Sequence, residues 1–361
     1  MLAIVNDKYR YIMFYSAKSG CTSMRNLYLD LHRDELSDEQ LEALKGYHNL
    51  HLIQPYDLAK NYKSYYKFVI SRNPFSRIVS AYLDQYVYAQ NKRVKEMLAD
   101  HPPKGQMPTN FIDFLEYIKS VPDEFRDAHF QTQLFFKYDL LTTKRRNIFK
   151  RTKASDSIDY KGDISGFNNH MKQVYKVIFS DEALLQNQAN ESIEGMKRMN
   201  ASFYAQDDFP NAAMMTTDEL NAAVFAPKPQ DFYVSERARE LVCEIYANDF
   251  EYFAYSRDEI PSKRPSKELG LIPVDFDWQT YLLLSPDLRL AGLATEREVV
   301  RHYLEFGRHE YQRGYKIESP EGFAWQEYLT KNKGHIPVEV QDEKQALIHY
   351  LSYGQRQGLT F

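Results

Sequence analysis

Tyr9 to Tyr15 (Tyr-Arg-Tyr-Ile-Met-Phe-Tyr) is an aromatic and β-branched run, and it predicts a strand. A short loop, Ser16 to Gly20, follows it. Met24, Leu27, Tyr28 and Leu31 then recur at helical spacing, which predicts a helix over Thr22 to Leu31. The pattern repeats further on. Lys67 to Ser71 (Lys-Phe-Val-Ile-Ser) reads as a second, buried strand, Arg72-Asn-Pro74 ends it, and Phe75 to Tyr88 resumes helical periodicity. Strand–loop–helix units of this kind predict a parallel α/β sheet with its ligands at the carboxyl ends of the strands. Residues 95–230 read as mostly helical with irregular connections, and Glu236 to Tyr255 as one helix ending in aromatics.

Prolines 261, 265 and 273 among charges mark Ser256 to Pro273 as a linker. Beyond it the chain repeats itself. Trp278-Gln-Thr-Tyr-Leu282 matches Trp325-Gln-Glu-Tyr-Leu329, His302-Tyr-Leu304 matches His349-Tyr-Leu351, and Gly307 matches Gly354, all at an offset of 47 residues (278 to 325, 302 to 349, 307 to 354). Two copies of a small helical unit are expected, with Trp, Tyr and Leu as core and His302 and His349 as structural histidines rather than a metal pair. The predicted organisation is a domain over 1–256, a linker over 257–274 and a helical repeat domain over 275–361.

Composition narrows the class. The 361 residues are 43% hydrophobic and 27% charged, as in a folded globular protein, and the net charge of −4 offers no reason to expect nucleic acid as a partner. Only Cys21 and Cys243 occur, so a reduced, cytoplasmic setting is expected. Met1 to Lys8 is a brief apolar start interrupted by Asp7 and Lys8, unlike a secretory signal. No apolar run approaches the roughly 20 residues needed to cross a bilayer. Lys144 to Lys153 carries six positive charges in ten residues. It reads as a solvated loop, with a docking patch for an anionic acceptor chain as the alternative.

Two segments carry candidate chemistry. In Ala17-Lys-Ser-Gly-Cys-Thr-Ser23 a loop enters a helix, whose unpaired amides and dipole favour an anion. Gly20 permits close backbone approach, Ser19, Thr22 and Ser23 add hydroxyls, and Lys18 adds a point charge. It is not a Walker A loop, because G-x-x-x-x-G-K-[ST] is absent there. In Arg72-Asn-Pro-Phe-Ser-Arg-Ile-Val-Ser-Ala-Tyr82, Arg72 at a strand end suits bidentate contact with a phosphate, and the Ser80 hydroxyl lies about two turns on. Taken singly, the first segment is a weak signal that reads as an ordinary strand-to-helix turn, and the second as an arginine capping a sheet edge with a serine on a helix face.

Together they resemble the paired nucleotide-binding motifs of sulfotransferases that use PAPS (3′-phosphoadenosine-5′-phosphosulfate), most closely the carbohydrate branch of heparan 2-O- and chondroitin-type enzymes. The resemblance covers about residues 8–256, and includes Asp127-Ala-His-Phe-Gln-Thr-Gln133 and the closing pattern Asp249-Phe-x-x-Phe-x-Tyr255. Phe130 and Thr132 depart from it, standing where Trp and Pro are more familiar. It implies a P-loop-like central sheet flanked by helices, with Lys18, Ser19, Gly20, Cys21, Thr22 and Ser23 on the 5′-phosphosulfate and Arg72 and Ser80 on the 3′-phosphate. It further implies direct, metal-free transfer to a carbohydrate hydroxyl, Lys18 stabilising the leaving group and a histidine taking the acceptor proton. His51 is the first choice for that base by its position, followed by His48 and then His129. The terminal repeats resemble units appended to some bacterial glycan-modifying enzymes. Competing readings are a nucleotide-dependent kinase, and a glycan-binding or scaffold protein on an inactive fold of this kind.

Overall fold

The computed structural model describes residues 3–45, 62–89, 94, 96, 107–133, 158–195, 204–205, 208–263, 271–273, 275–310 and 314–361. Its four strands are β1 (Ala3–Asn6), β2 (Tyr11–Tyr15), β3 (Tyr66–Ser71) and β4 (Tyr160–Asp163), in the spatial order β1-β2-β3-β4. The pairs β2/β3 (Met13 opposite Phe68) and β3/β4 (Ile70 opposite Gly162) are parallel, while β1/β2 is antiparallel (Val5 opposite Ile12). The expected parallel sheet is therefore mixed at one edge. Only Asp7 to Arg10 separate β1 from β2, and a connection that short returns the chain antiparallel, since a parallel return needs a crossover of a dozen residues or so.

The side chains of β2 alternate. Tyr11, Met13 and Tyr15 pack with Met24, Leu27, Tyr28 and Leu31 of helix α1 (Cys21–His32), and Ile12 and Phe14 pack on the opposite face. That division follows from the period of two in a strand and of 3.6 in a helix. β3 feeds α2 (Pro74–Ala81), which starts with Pro74 in the first turn and the Asn73 side chain accepting from the Phe75 amide at 2.9 Å. The helix predicted to run on to Tyr88 instead widens into a π-helical stretch, Tyr82–Tyr88, with Tyr82 fully buried. Helices α3 (Phe111–Ser120), α4 (Phe167–Ile178) and α5 (Ala183–Gly195) follow in the described middle of the chain.

β4 is a strand in a stretch expected to be helical or irregular. Its sequence, Tyr-Lys-Gly-Asp, has no apolar run to announce it, and β3 supplies the ladder that makes it a strand. The closing helix is two helices, α6 (Glu236–Ile245) and α7 (Ala247–Tyr252). The break falls at Tyr246, which is buried and donates its hydroxyl to the Phe130 carbonyl at 2.8 Å. Tertiary anchoring overrides local propensity there.

The chain divides into two compact units, one of Met1–Ser202, Asp208–Leu220 and Pro227–Lys263, the other of Phe203–Asp207, Asn221–Ala226 and Arg264–Phe361. The second contains α8 (Trp278–Leu283), α9 (Glu296–Glu305), α10 (Trp325–Lys331) and α11 (Glu343–His349). Its repeated residues build the same cluster twice. Tyr281 bonds His302 Nδ1 at 2.9 Å, and Tyr328 bonds His349 Nδ1 at 2.7 Å. Both tyrosines are fully buried, whereas Trp278 and Trp325 are only half-buried, so tyrosine rather than tryptophan centres each core. Gly307 and Gly354 leave room for the hydroxyls, because a Cβ there would stand 1.9 Å from Tyr281 Oη and 2.2 Å from Tyr328 Oη.

Candidate active site

The loop between β2 and α1 is shaped by two left-handed residues, Lys18 (φ 66°) and Gly20 (φ 84°). Glycine adopts that conformation freely and lysine at a cost, so the strain at Lys18 sits at the residue with the most chemistry to offer. A Cβ on Gly20 would approach Ile164 Cδ1 to 2.4 Å. Gly20 is also the residue capping α1, so the cap residue itself offers no side chain to the leading amides, and the first turn holds no acidic residue. The leading amides of a twelve-residue helix are thus left for an anion, which the helix dipole favours. Cys21, Thr22 and Ser23 occupy that first turn, partly exposed. Cys21 and Cys243 are free thiols.

Arg72, just after β3, reaches across to this loop. Its Nη1 donates to the Lys18 carbonyl at 3.1 Å and its Nε to Ser76 Oγ at 3.2 Å. Ser76 and Ser80 are four residues apart on α2 and share one face, so Arg72, Ser76 and Ser80 line a single edge of the helix. Ser19 is fully buried, and its hydroxyl turns inward to Gln133 Oε1 at 2.8 Å.

Gln133 is a hub that motif reading left without a role. Besides Ser19, its Oε1 accepts the Arg72 amide at 2.8 Å, its Nε2 donates to the Arg72 carbonyl at 2.8 Å, and its own amide donates to Asp249 Oδ2 at 2.9 Å. One side chain thereby joins the first loop, the end of β3 and α7. Its membership in the Asp127–Gln133 block was the available signal. Within that block Thr132 Oγ1 donates to Asp123 Oδ2 at 2.7 Å, and Phe130 is buried edge-on against Phe114.

Lys18 Nζ is ion-paired with Asp84, whose carboxylate also accepts from Gln85. Burial acts to raise the Asp84 pKa, but the Lys18 charge, hydrogen bonds from Lys18 and Gln85, and the His129 charge outweigh it and hold the carboxyl below its usual range. His129 Nδ1 in turn lies 2.6 Å from Asp127 Oδ1. Asp84 was missed because its reach to Lys18 depends on the π-helical stretch, which no local pattern announces. The structure therefore groups Lys18, Asp84 and His129, and ties Arg72 to the same loop. His48 and His51 lie outside the described residues, as does the basic run 144–153. Among the described residues, no helix is long and apolar enough to cross a membrane, and no group of three or more metal-ligating side chains occurs.

No curated protein and no solved structure matches the chain. Residues 2–256, more than half of its length, match the model of the sulfotransferase family. With a glycine-capped helix terminus, a lysine and an arginine converging on one loop within that span, the chain belongs to the sulfotransferase family.

Proposed function

We propose that the chain moves the sulfonyl group of PAPS to a hydroxyl of a carbohydrate, by direct transfer within a domain spanning 1–256, in the cytoplasm. The observation that carries this reading is the N-terminus of α1 behind the left-handed pair Lys18 and Gly20, a cradle whose cap residue has no side chain to occupy the leading amides. A phosphosulfate is an anion of the kind such a cradle receives. Lys18, the Gly20–Ser23 amides and the Thr22 and Ser23 hydroxyls would hold it, with Arg72 and Ser80 on the 3′-phosphate. Ser19 contributes through the fold of the loop, since its hydroxyl is engaged by Gln133.

In the proposed reaction an acceptor oxygen attacks sulfur in line, the bond from sulfur to the phosphate oxygen breaks, and the acceptor proton passes to a histidine. As in phosphoryl transfer, positioning and charge stabilisation do most of the work. The Lys18 ammonium neutralises the charge that gathers on the departing oxygen. For that it must leave Asp84 for the donor, an exchange of one anionic partner for another. His129 has the arrangement of an oriented base, with Asp127 on its Nδ1. His51 and His48 are carried as bases by resemblance. The heparan 2-O- and chondroitin-type branch, and with it the carbohydrate acceptor, rests on the motif pair.

A thermal-shift comparison of adenosine 3′,5′-bisphosphate, AMP and ATP tests the donor site. At 100 times its dissociation constant a ligand stabilises by about 2.7 kcal/mol. Selective stabilisation by the 3′,5′-bisphosphate is expected. An equal response to ATP, or none, rejects the donor assignment and moves attention to the terminal repeats.

A further inference from the structure

Arg77 stands in the second motif, has no role in the chemistry above, and is 1% exposed. Its Nε donates to the Ala17 carbonyl at 3.0 Å and its Nη1 to the Gln131 carbonyl at 2.8 Å, while Nη2 has no partner among the described residues. The Tyr246 ring lies 6.0 Å from the guanidinium carbon. The two carboxylates in the same neighbourhood, Asp123 and Asp249, are engaged elsewhere. Asp123 holds Arg126 at 3.0 Å and the Thr132 hydroxyl, and Asp249 holds the Gln133 amide. Among the described residues no carboxylate pairs with Arg77.

An unpaired buried charge is costly, and buried arginines ordinarily meet a carboxylate. This one is kept behind Ala17, the residue before Lys18, and beside the segment that carries His129 and Gln133. Two consequences follow from its placement. Its hydrogen bonds hold the first loop and the 131 carbonyl in register. Its charge adds to those of Lys18 and the α1 terminus, in a medium where field lines are poorly screened.

We propose that Arg77 is a positioning residue of the donor site, a buried cation that braces Ala17 against Gln131 and attracts the anionic groups of the donor nucleotide without touching them. The proposal rests on the PAPS reading, and it predicts that affinity for phosphate groups, rather than for the nucleoside, depends on the Arg77 charge.

The test compares adenosine 3′,5′-bisphosphate with uncharged adenosine by calorimetry on the full chain, for the wild type, Arg77→Met and Arg77→Lys. In R77M the bisphosphate should weaken about tenfold or more while adenosine is unchanged, so the ratio of the two affinities falls. General damage to the site would weaken both. R77K, which keeps the charge, should bind the bisphosphate within about threefold of wild type, and amide exchange should quicken at both Ala17–Gly20 and Gln131–Gln133 as the brace loosens. An unchanged affinity ratio in R77M overturns the proposal. If R77M does not fold, R77K decides: a loss beyond tenfold, or exchange unaltered in both segments, overturns it. Wild-type protein that ignores the bisphosphate removes the donor reading and this inference together, whereas wild-type binding with an unaltered R77M ratio removes Arg77 alone.

Discussion

Lys18 pairs with Asp84 in the structure and is proposed to move to the donor during transfer. Removing one charge-stabilising donor from an active site typically costs 10²–10³ in rate, so Lys18→Ala should lose on the order of 10²–10³ in PAPS turnover with intact folding. A loss below tenfold in a single-turnover assay would take Lys18 out of the mechanism. For the base, Ala replacements at His51, His48 and His129 separate the candidates. The true base should abolish turnover while bisphosphate affinity stays within about twofold, and three active variants would end the histidine assignment. Motif spacing made Lys18, Gly20 and Arg72 legible. It left Asp84, Gln133 and Arg77 unassigned, because their partners lie 66, 114 and 60 residues away in sequence.

At the scale of elements, α1 ends in His32, a buried imidazole between the Tyr11 hydroxyl on Nε2 (2.8 Å) and Glu35 on Nδ1 (3.1 Å). Burial lowers its pKa and outweighs the opposing influence of Glu35. The neutral ring satisfies both partners, accepting from Tyr11 and donating to Glu35. Because the folded pKa lies below the ordinary value of about 6.5, the unfolded chain binds the extra proton first. This contribution to stability is complete above that value and is lost as pH falls through the folded pKa. Denaturant titrations from pH 7.5 to 5 should show the decline, and His32→Gln should flatten it; an identical slope in H32Q would show that His32 is not its source. In the repeats, Gly307→Ala should destabilise by about 1–3 kcal/mol, since the intruding Cβ meets a hydroxyl at the end of a buried ring. Tyr281→Phe removes that oxygen and with it the hydrogen bond to His302 Nδ1, at about 1 kcal/mol. The double variant should therefore cost less than the sum of the two, and strict additivity would contradict the clash. One contact ahead of these helices recurs in step with the motif: Glu298 accepts the Ala294 amide at 3.0 Å, and Gln345 accepts that of Gln341 at 2.7 Å. Helical spacing revealed α1 and the 47-residue offset revealed the terminal repeat, whereas β4, the π-helical stretch and the break at Tyr246 had no local signal.

For the whole molecule, the proposed donor site lies within one compact unit, with Lys18, Arg72, Asp84, Gln133 and Asp249 all in Met1–Ser202 or Pro227–Lys263. Bisphosphate binding to the full chain should slow amide exchange at Lys18–Met24 and near Arg72 and Gln133, leaving α8 to α11 unchanged. Protection confined to α8–α11 would instead assign nucleotide binding to the terminal unit. The sequence alone determined the family, the two strand–loop–helix junctions and the duplicated terminal unit. Each of these rests on short runs of residues and on their spacing along the chain, which the sequence carries directly. Tertiary structure alone decided that β1 returns antiparallel beside β2, that Tyr-Lys-Gly-Asp becomes β4, and that Lys18 meets Asp84. It also decided that a buried arginine underlies the first loop with no carboxylate paired to it among the described residues. Those outcomes depend on which surfaces a distant segment offers for hydrogen bonding and burial, and no period along the chain encodes that.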